Sequence, residues 1–358
     1  MTPVELSRTV LRAVRRAVDV GELRVAVPER ALVTRPRPGG CGDYATNIAL
    51  QLARPAGQPP RRVAEVLRSH LAGLDGIDDV SVTGPGFLNI SLRQAGAALA
   101  VAEVVEEIRR RGPRYGFAEG PSGQVIQLHC ACEVRAVVVT DTVARLLRSQ
   151  GALVRTSCDG PPPPEWGPGW EDVLGARLDV PCAPGAPPSP LDVDVRPAPA
   201  PADPVPLGRD AGRWALLRPA GHDRPRIDAD EHLVQRESNP LFRVRYAHAR
   251  TRALARNAAD LGFAARPGAV TDAEPLLTLL ADHPRVLARA AEHRAPDVLA
   301  RHLVTVADAV LPVLPTVLPA GEEKPSAAHR ARLALAEAAG TVLAGGLSLL
   351  GIDAPDHL

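Results

Sequence analysis

The sequence predicts three architectures in series: an α+β N-terminal region, a short α/β segment and an all-α C-terminal bundle. Three observations carry that reading. Helical and strand-like periodicities alternate up to about residue 158. Fifteen prolines then crowd residues 159–208, with almost no periodicity. From Asp210 onward the chain is rich in Ala, Leu and Arg at helical spacing. At roughly 150 residues per domain, 358 residues suggest two or three domains. Boundaries fall at 1–118, 119–158, 159–209 and 210–358.

The elements follow in order. The N-terminal segment sets Leu6, Val10, Ala13, Val14 and Ala17 on one helical stripe, and Arg interrupts it too often for a signal-peptide core. Residues 61–74 form a second amphipathic helix, introduced by Pro59 and Pro60. Residues 79–83 and 86–92 read as strands joined through Gly84 and Pro85, and 97–111 as a third helix. A buried-type strand over 125–129, a helix over 135–149 and a strand over 152–156 make a strand–helix–strand run, half of a nucleotide-binding unit. Proline removes backbone donors, so 159–209 reads as a loop or disordered linker. Helices are expected at 240–262, 272–281, 283–292, 296–313 and 325–349. Pro275, Pro284 and Pro296 sit in first turns and Gly351 closes the last helix.

Composition sets further bounds. With 42 basic and 41 acidic side chains the net charge is +1, so any nucleic-acid surface is a local patch. Lys324 is the only lysine, so arginine carries the positive charge. No apolar run approaches the roughly 20 residues that span a bilayer, and five cysteines without a targeting address read as reduced thiols of a cytoplasmic protein. His129, Cys130 and Cys132 lack metal-site spacing, so no metal is expected and they read as buried residues at a strand end. Cys182 reads as exposed. Asp43, Tyr44 and Asn47 follow the Pro38-Gly39-Gly40 turn and read as the start of a helix, with Asp43 as its N-cap. Segment 241–256 carries Arg243, Arg245, Arg250, Arg252 and Arg256 with no acid, and Tyr246 and His248 lie between them. That pattern is a cationic ridge fit for phosphates plus one stacking ring. Phe87 and Asn89 alternate along a strand and share one face.

Two strings carry a resemblance. Gly42-Asp43-Tyr44-Ala45-Thr46-Asn47, followed by Gly84-Pro85-Gly86-Phe87-Leu88-Asn89, resembles the N-terminal additional domain of arginyl-tRNA synthetases. Asn239-Pro240 with Val244 and Tyr246-Ala247-His248-Ala249-Arg250 is similar to the string that opens the DALR-type anticodon-binding bundle of the same enzymes. The resemblance implies that Phe87 and Asn89, with Tyr44 and Asn47 nearby, touch the tRNA elbow. It implies that Tyr246 and Arg250, with Arg243 and Arg252, meet the anticodon arm. His302 stands where the family has Tyr, and the chain ends on Leu358 where the family ends on Met. Imidazole can still stack and Leu can still pack on a base.

The same resemblance makes residues 119–158 a truncated, Rossmann-like remnant of the catalytic fold. Residues 135–147 match the family helix that follows the HIGH motif, yet Leu128-His129-Cys130-Ala131-Cys132-Glu133-Val134 stands where that motif belongs. Asp210 to Trp214 match the helix after the KMSKS loop, and no such loop precedes them. The expectation is a catalytic domain largely deleted and no catalytic residue. The leading expectation is a tRNA-binding paralogue that has lost adenylation, with tRNA (an arginine-specific one first) and a tRNA-using enzyme as partners. It needs no cofactor, membrane or DNA. The alternative is an arginine–tRNA ligase with a diverged centre, using ATP and Mg. A protein-interaction scaffold is the third reading.

Overall fold

The computed structural model describes residues 3–34, 36, 42–92, 94–160, 169–180, 192–270 and 273–358. It is a mixed α/β fold with a helical C-terminal region, and the chain divides into two compact units. Residues 1–104 with 268–270 form the first and the remainder forms the second.

In the first unit, helix α1 (Pro3–Asp19) buries the expected stripe of Leu6, Val10, Ala13, Val14 and Ala17. Strands β1 (Val33–Thr34) and β2 (Tyr44–Thr46) precede helices α2 (Ile48–Ala56) and α3 (Pro60–Leu71). Strands β3 (Ile77–Thr83) and β4 (Phe87–Leu92) close a hairpin. The four strands form an antiparallel sheet in the order β1-β2-β4-β3. Its core joins α1, α2 and α3 to the inner sheet residues Leu88 and Ile90. Asp43 does not cap a helix. Tyr44 is already in a strand, and the Asp43 carboxylate accepts from the Leu92 amide at 2.7 Å, which ties β2 to β4. The N-cap position of α2 belongs to Asn47.

In the second unit, helix α4 (Gln94–Arg111) runs in from the first. Strand β5 (Val125–Ala131), helix α5 (Val134–Ser149) and strand β6 (Leu153–Asp159) follow as expected. The proline-rich stretch departs from the expectation of irregular chain. It holds helix α6 (Gly169–Leu174) and strand β7 (Asp192–Val195), which pairs parallel with β5 in the order β6-β5-β7. The prolines flank this edge strand and leave its ladder amides intact.

Helices α7 (Gly208–Leu217) and α8 (Ala229–His232) lead to the bundle of α9 (Pro240–Asp260), α10 (Glu274–Glu292), α11 (Pro296–Val310) and α12 (Ala327–Leu350). Where two helices were expected, α10 is continuous through Pro284. Proline strands the carbonyl four residues earlier. That carbonyl belongs to Leu280, and it accepts from the Tyr115 hydroxyl at 3.2 Å. Helix α12 is long and apolar enough to cross a bilayer, against the expectation of no such run, but 78% of its apolar window is buried within the fold. A methyl on Gly340 would lie 2.2 Å from Thr251 Oγ1, so glycine lets α12 lie close on α9. Gly351, at φ 72°, ends α12 as expected.

Candidate nucleic-acid interface

The β3–β4 turn is built on glycine. Gly86 has φ 147°, and a methyl there would lie 2.9 Å from the Pro60 carbonyl, so the turn packs on the start of α3. Phe87 comes next and is 40% exposed. An apolar ring left in water at a hairpin end offers a stacking face. Asn89 shares its side of the strand but is only 4% exposed, and its amide donates to Thr83 Oγ1 at 2.7 Å. The structure therefore gives Asn89 a hairpin-bracing position rather than a free base-reading edge. Tyr44 packs half-buried on the core. Asn47 makes no cap hydrogen bond, and its Oδ1 accepts from Gln51 Nε2 at 3.3 Å.

Helix α9 starts at Asn239, whose Oδ1 accepts from the Leu241 amide at 3.0 Å and whose amide donates to the His232 and Val234 carbonyls. Phe242 and Tyr246 stack one turn apart, 5.7 Å between centroids at 20°, and Tyr246 is 39% exposed. Arg250, one turn further, is exposed and makes no ion pair among the described residues. Leu358 is exposed and shares a cavity of about 370 Å³ with Phe242 and Arg245.

The cationic ridge is largely neutralised from within. Arg243 pairs with Asp308 at 3.2 Å and Arg245 with Asp210 at 3.4 Å. Arg252 holds Asp356 through two bonds at 3.0 and 3.3 Å, while Arg256 reaches the Asp356 carbonyl. These acids lie far away in sequence, so counting charges along α9 overstated its field. His248 does not belong to the ridge either. It is buried, its Nδ1 lies 3.1 Å from the Gly340 carbonyl, and burial lowers its pKa.

His302 offers no surface for a base. It is 8% exposed and stacks on His283 at 5.3 Å, which stacks on Tyr115 at 5.9 Å. Burial pushes the His302 pKa down to about 4 and lowers that of His283 too. His283 Nδ1 and His302 Nε2 have no hydrogen-bond partner.

The β5–α5 junction was read only as the gap left by a motif, and its key side chains were missed. Glu133 caps α5: one carboxylate oxygen accepts from the Ala136 amide at 2.9 Å and the other from the Ala200 amide at 3.0 Å. Arg135 is fully buried and donates to five carbonyls, those of Leu216, Ala198, Asp223, Pro219 and Ala220, at 2.6–3.2 Å. Arg213, equally buried, ties Asp141 and Thr142 of α5 to the Leu174 and Leu350 carbonyls. An arginine directly before the apolar run Ala136–Val139 was the available signal for Arg135. His129 lies between Ser157 and Asp159, and no metal-holding cluster exists among the described residues. Cys130 is a buried free thiol, whereas Cys158 is disulfide-bonded, so reduced thiols throughout is corrected; spacing along the chain carries no pairing information. Cys182 lies outside the described residues.

Residues 5–92 match the arginyl tRNA synthetase N terminal domain and residues 244–358 the DALR anticodon binding domain. An arginine–tRNA ligase of Renibacterium salmoninarum is 44% identical over 168 residues, 43% of this chain and only 30% of that enzyme's length. One from Paenarthrobacter aurescens aligns end to end with this chain, 26% identical over 557 positions and covering 100% of both. Such a match delimits no missing domain, so deletion of the catalytic domain is not a finding of the comparisons. The Thermus thermophilus arginyl-tRNA synthetase structure superposes with a TM-score of 0.69 at 16% identity, covering 100% of each chain, a likeness of fold.

Proposed function

The chain carries the N-terminal and DALR anticodon-binding domains of the arginyl-tRNA synthetase family, and from that premise we propose a tRNA-binding protein that has lost adenylation. The observation that carries the binding is the exposure of Phe87 and Tyr246. Aromatics are 3% of this chain, yet these two rings stay in water, one in each matched domain. Each can stack a base for about 1–3 kcal/mol. Weak binding by each suffices, since tethering makes the second contact intramolecular. An arginine-specific tRNA is the first candidate, and a tRNA-using enzyme in the cytoplasm the candidate recipient.

The start of α5 supports the loss of catalysis. A helix N-terminus holds phosphates through its free amides and dipole. Here the Glu133 carboxylate occupies the Ala136 amide, and the chain at Ala200 lies bonded against it. A phosphate 4 Å from that carboxylate meets a repulsion of about 4 kcal/mol per unit charge at an effective dielectric of 20. These residues do not fit the phosphates of ATP.

The second reading is an arginine–tRNA ligase. It is favoured by the end-to-end alignment with an enzyme of that name. Arginine-dependent ATP–pyrophosphate exchange, with tRNA present, separates the two. Exchange should equal the no-enzyme control, and turnover would establish the ligase. Binding is tested on tRNA against an unrelated RNA hairpin. Equal affinity for both would leave the scaffold reading in place.

A further inference from the structure

Apart from Arg250, α9 keeps little unpaired positive charge, and among the described residues a second set of unpaired arginines lies on α1. Helix α1 carries Arg8, Arg12, Arg15 and Arg16 at spacings of four, three and one, so they fall on one face opposite the buried stripe. All four are exposed, and none makes an ion pair among the described residues. Like charges at i, i+4 are mildly destabilising. Arg8 with Arg12, and Arg12 with Arg16, keep that arrangement uncompensated.

Beside this face lies a cavity of about 470 Å³, within the range of about 300–1,000 Å³ usual for ligand sites. Arg12, Arg15 and Arg16 line one side, and His70 of α3 and Leu74 line the other. The buried Thr9 hydroxyl accepts from the Arg12 guanidinium at 3.0 Å, which orients it over the cavity. Acids limit the site. Asp19 and Asp75 share the lining, and Glu22 takes up His70 at 2.7 Å, so an anion is confined to the arginines.

We propose that the Arg8–Arg16 face of α1 is a phosphodiester-binding track, a further RNA contact in the first unit that uses charge rather than stacking. The proposal rests on the tRNA-binding reading above. From Arg8 to Arg16 the helix rises about 12 Å at about 1.5 Å per residue. One strand of duplex DNA places a phosphate about every 3.4 Å of axis, and A-form RNA is more compact along its axis, so at least about three or four fall within that length. A membrane surface is the wrong partner, because a helix that lies in a bilayer interface inserts its apolar face. The apolar face of α1 is already spent on the core.

The test measures tRNA affinity of the full chain across a salt series. The triple variant R12Q/R15Q/R16Q should lower the slope of log affinity against log salt by about two to three units. The triple R12K/R15K/R16K should keep the wild-type slope, and Phe87→Ala should weaken binding without changing it. A Gln triple with the wild-type slope, while Phe87→Ala still weakens binding, overturns the track and leaves the tRNA reading standing. A Lys triple that loses the slope also overturns it, since the charge is kept. Failure of the wild type to prefer tRNA over a hairpin overturns both. Phosphatidylglycerol vesicles should not compete with tRNA, and competition relieved by the Gln triple would reassign the face to lipid.

Discussion

His283 and His302 make the second unit sensitive to acid in a way that can be computed and measured. Their rings stack inside the bundle, with Tyr115 on the far side of His283, and each leaves one ring nitrogen without a hydrogen-bond partner. Burial is the first cause that holds His302 neutral, with the charge of Arg289 adding to it, and its pKa falls from 6.5 to about 4. The unfolded chain therefore binds this proton more tightly than the folded one. Stability from His302 is complete above pH 6.5 and is lost as pH falls toward 4. At about 1.4 kcal/mol per unit, a drop to pH 4.5 costs about 2–3 kcal/mol from His302 alone, and His283 adds in the same direction. His302→Leu preserves most of the volume and removes the titration, so at pH 7.5 it should change stability by less than about 1.5 kcal/mol. Urea unfolding followed by tryptophan fluorescence at pH 7.5 and 4.5 gives the loss for each protein. The variant should lose about 2–3 kcal/mol less than the wild type. Equal losses would mean that these rings are hydrated or already paired, and the argument from burial would fail.

Three further outcomes follow from the same geometry. Arg250→Gln should lower the salt slope of tRNA binding by roughly 0.7–0.9, the release expected for one charge, whereas Arg243→Gln and Arg252→Gln should leave it unchanged because Asp308 and Asp356 already neutralise them; equal effects of all three would restore the full ridge. Arg213→Met should destabilise by about 3 kcal/mol in urea unfolding, since the buried Asp141 loses its nearer cation and keeps only Arg145, and the Leu174 and Leu350 carbonyls lose their donor. Gly340→Ala should destabilise by about 1–3 kcal/mol by thermal melting, because the new methyl meets Thr251 Oγ1 at 2.2 Å.

What the sequence disclosed and what it withheld divide along one physical line, the distance in sequence over which an interaction acts. The stripe Leu6–Ala17, the β3–β4 hairpin and the run from β5 to β6 were legible because periodicity and turn chemistry are local. Strand β7 was not, since its pairing with β5 spans more than sixty residues and its neighbours are prolines. Nor was the passage of α10 through Pro284, which depends on a hydroxyl 165 residues from the carbonyl it satisfies. The candidate site obeys the same rule. Phe87 and Tyr246 entered through the two family-like strings, and the fold leaves both rings exposed. Asn89 and His302 could not be judged that way, as the Thr83 hydroxyl and the His283 ring settle their positions. Charge is the extreme case. In sequence the arginines of α9 and of α1 look alike, each a basic face on an amphipathic helix. Folding brings Asp210, Asp308 and Asp356 to the first set, whereas the second makes no ion pair among the described residues. The field available to a phosphate is therefore set by which arginines the fold leaves unpaired, and by that criterion Arg250 and the α1 face come before the rest of α9.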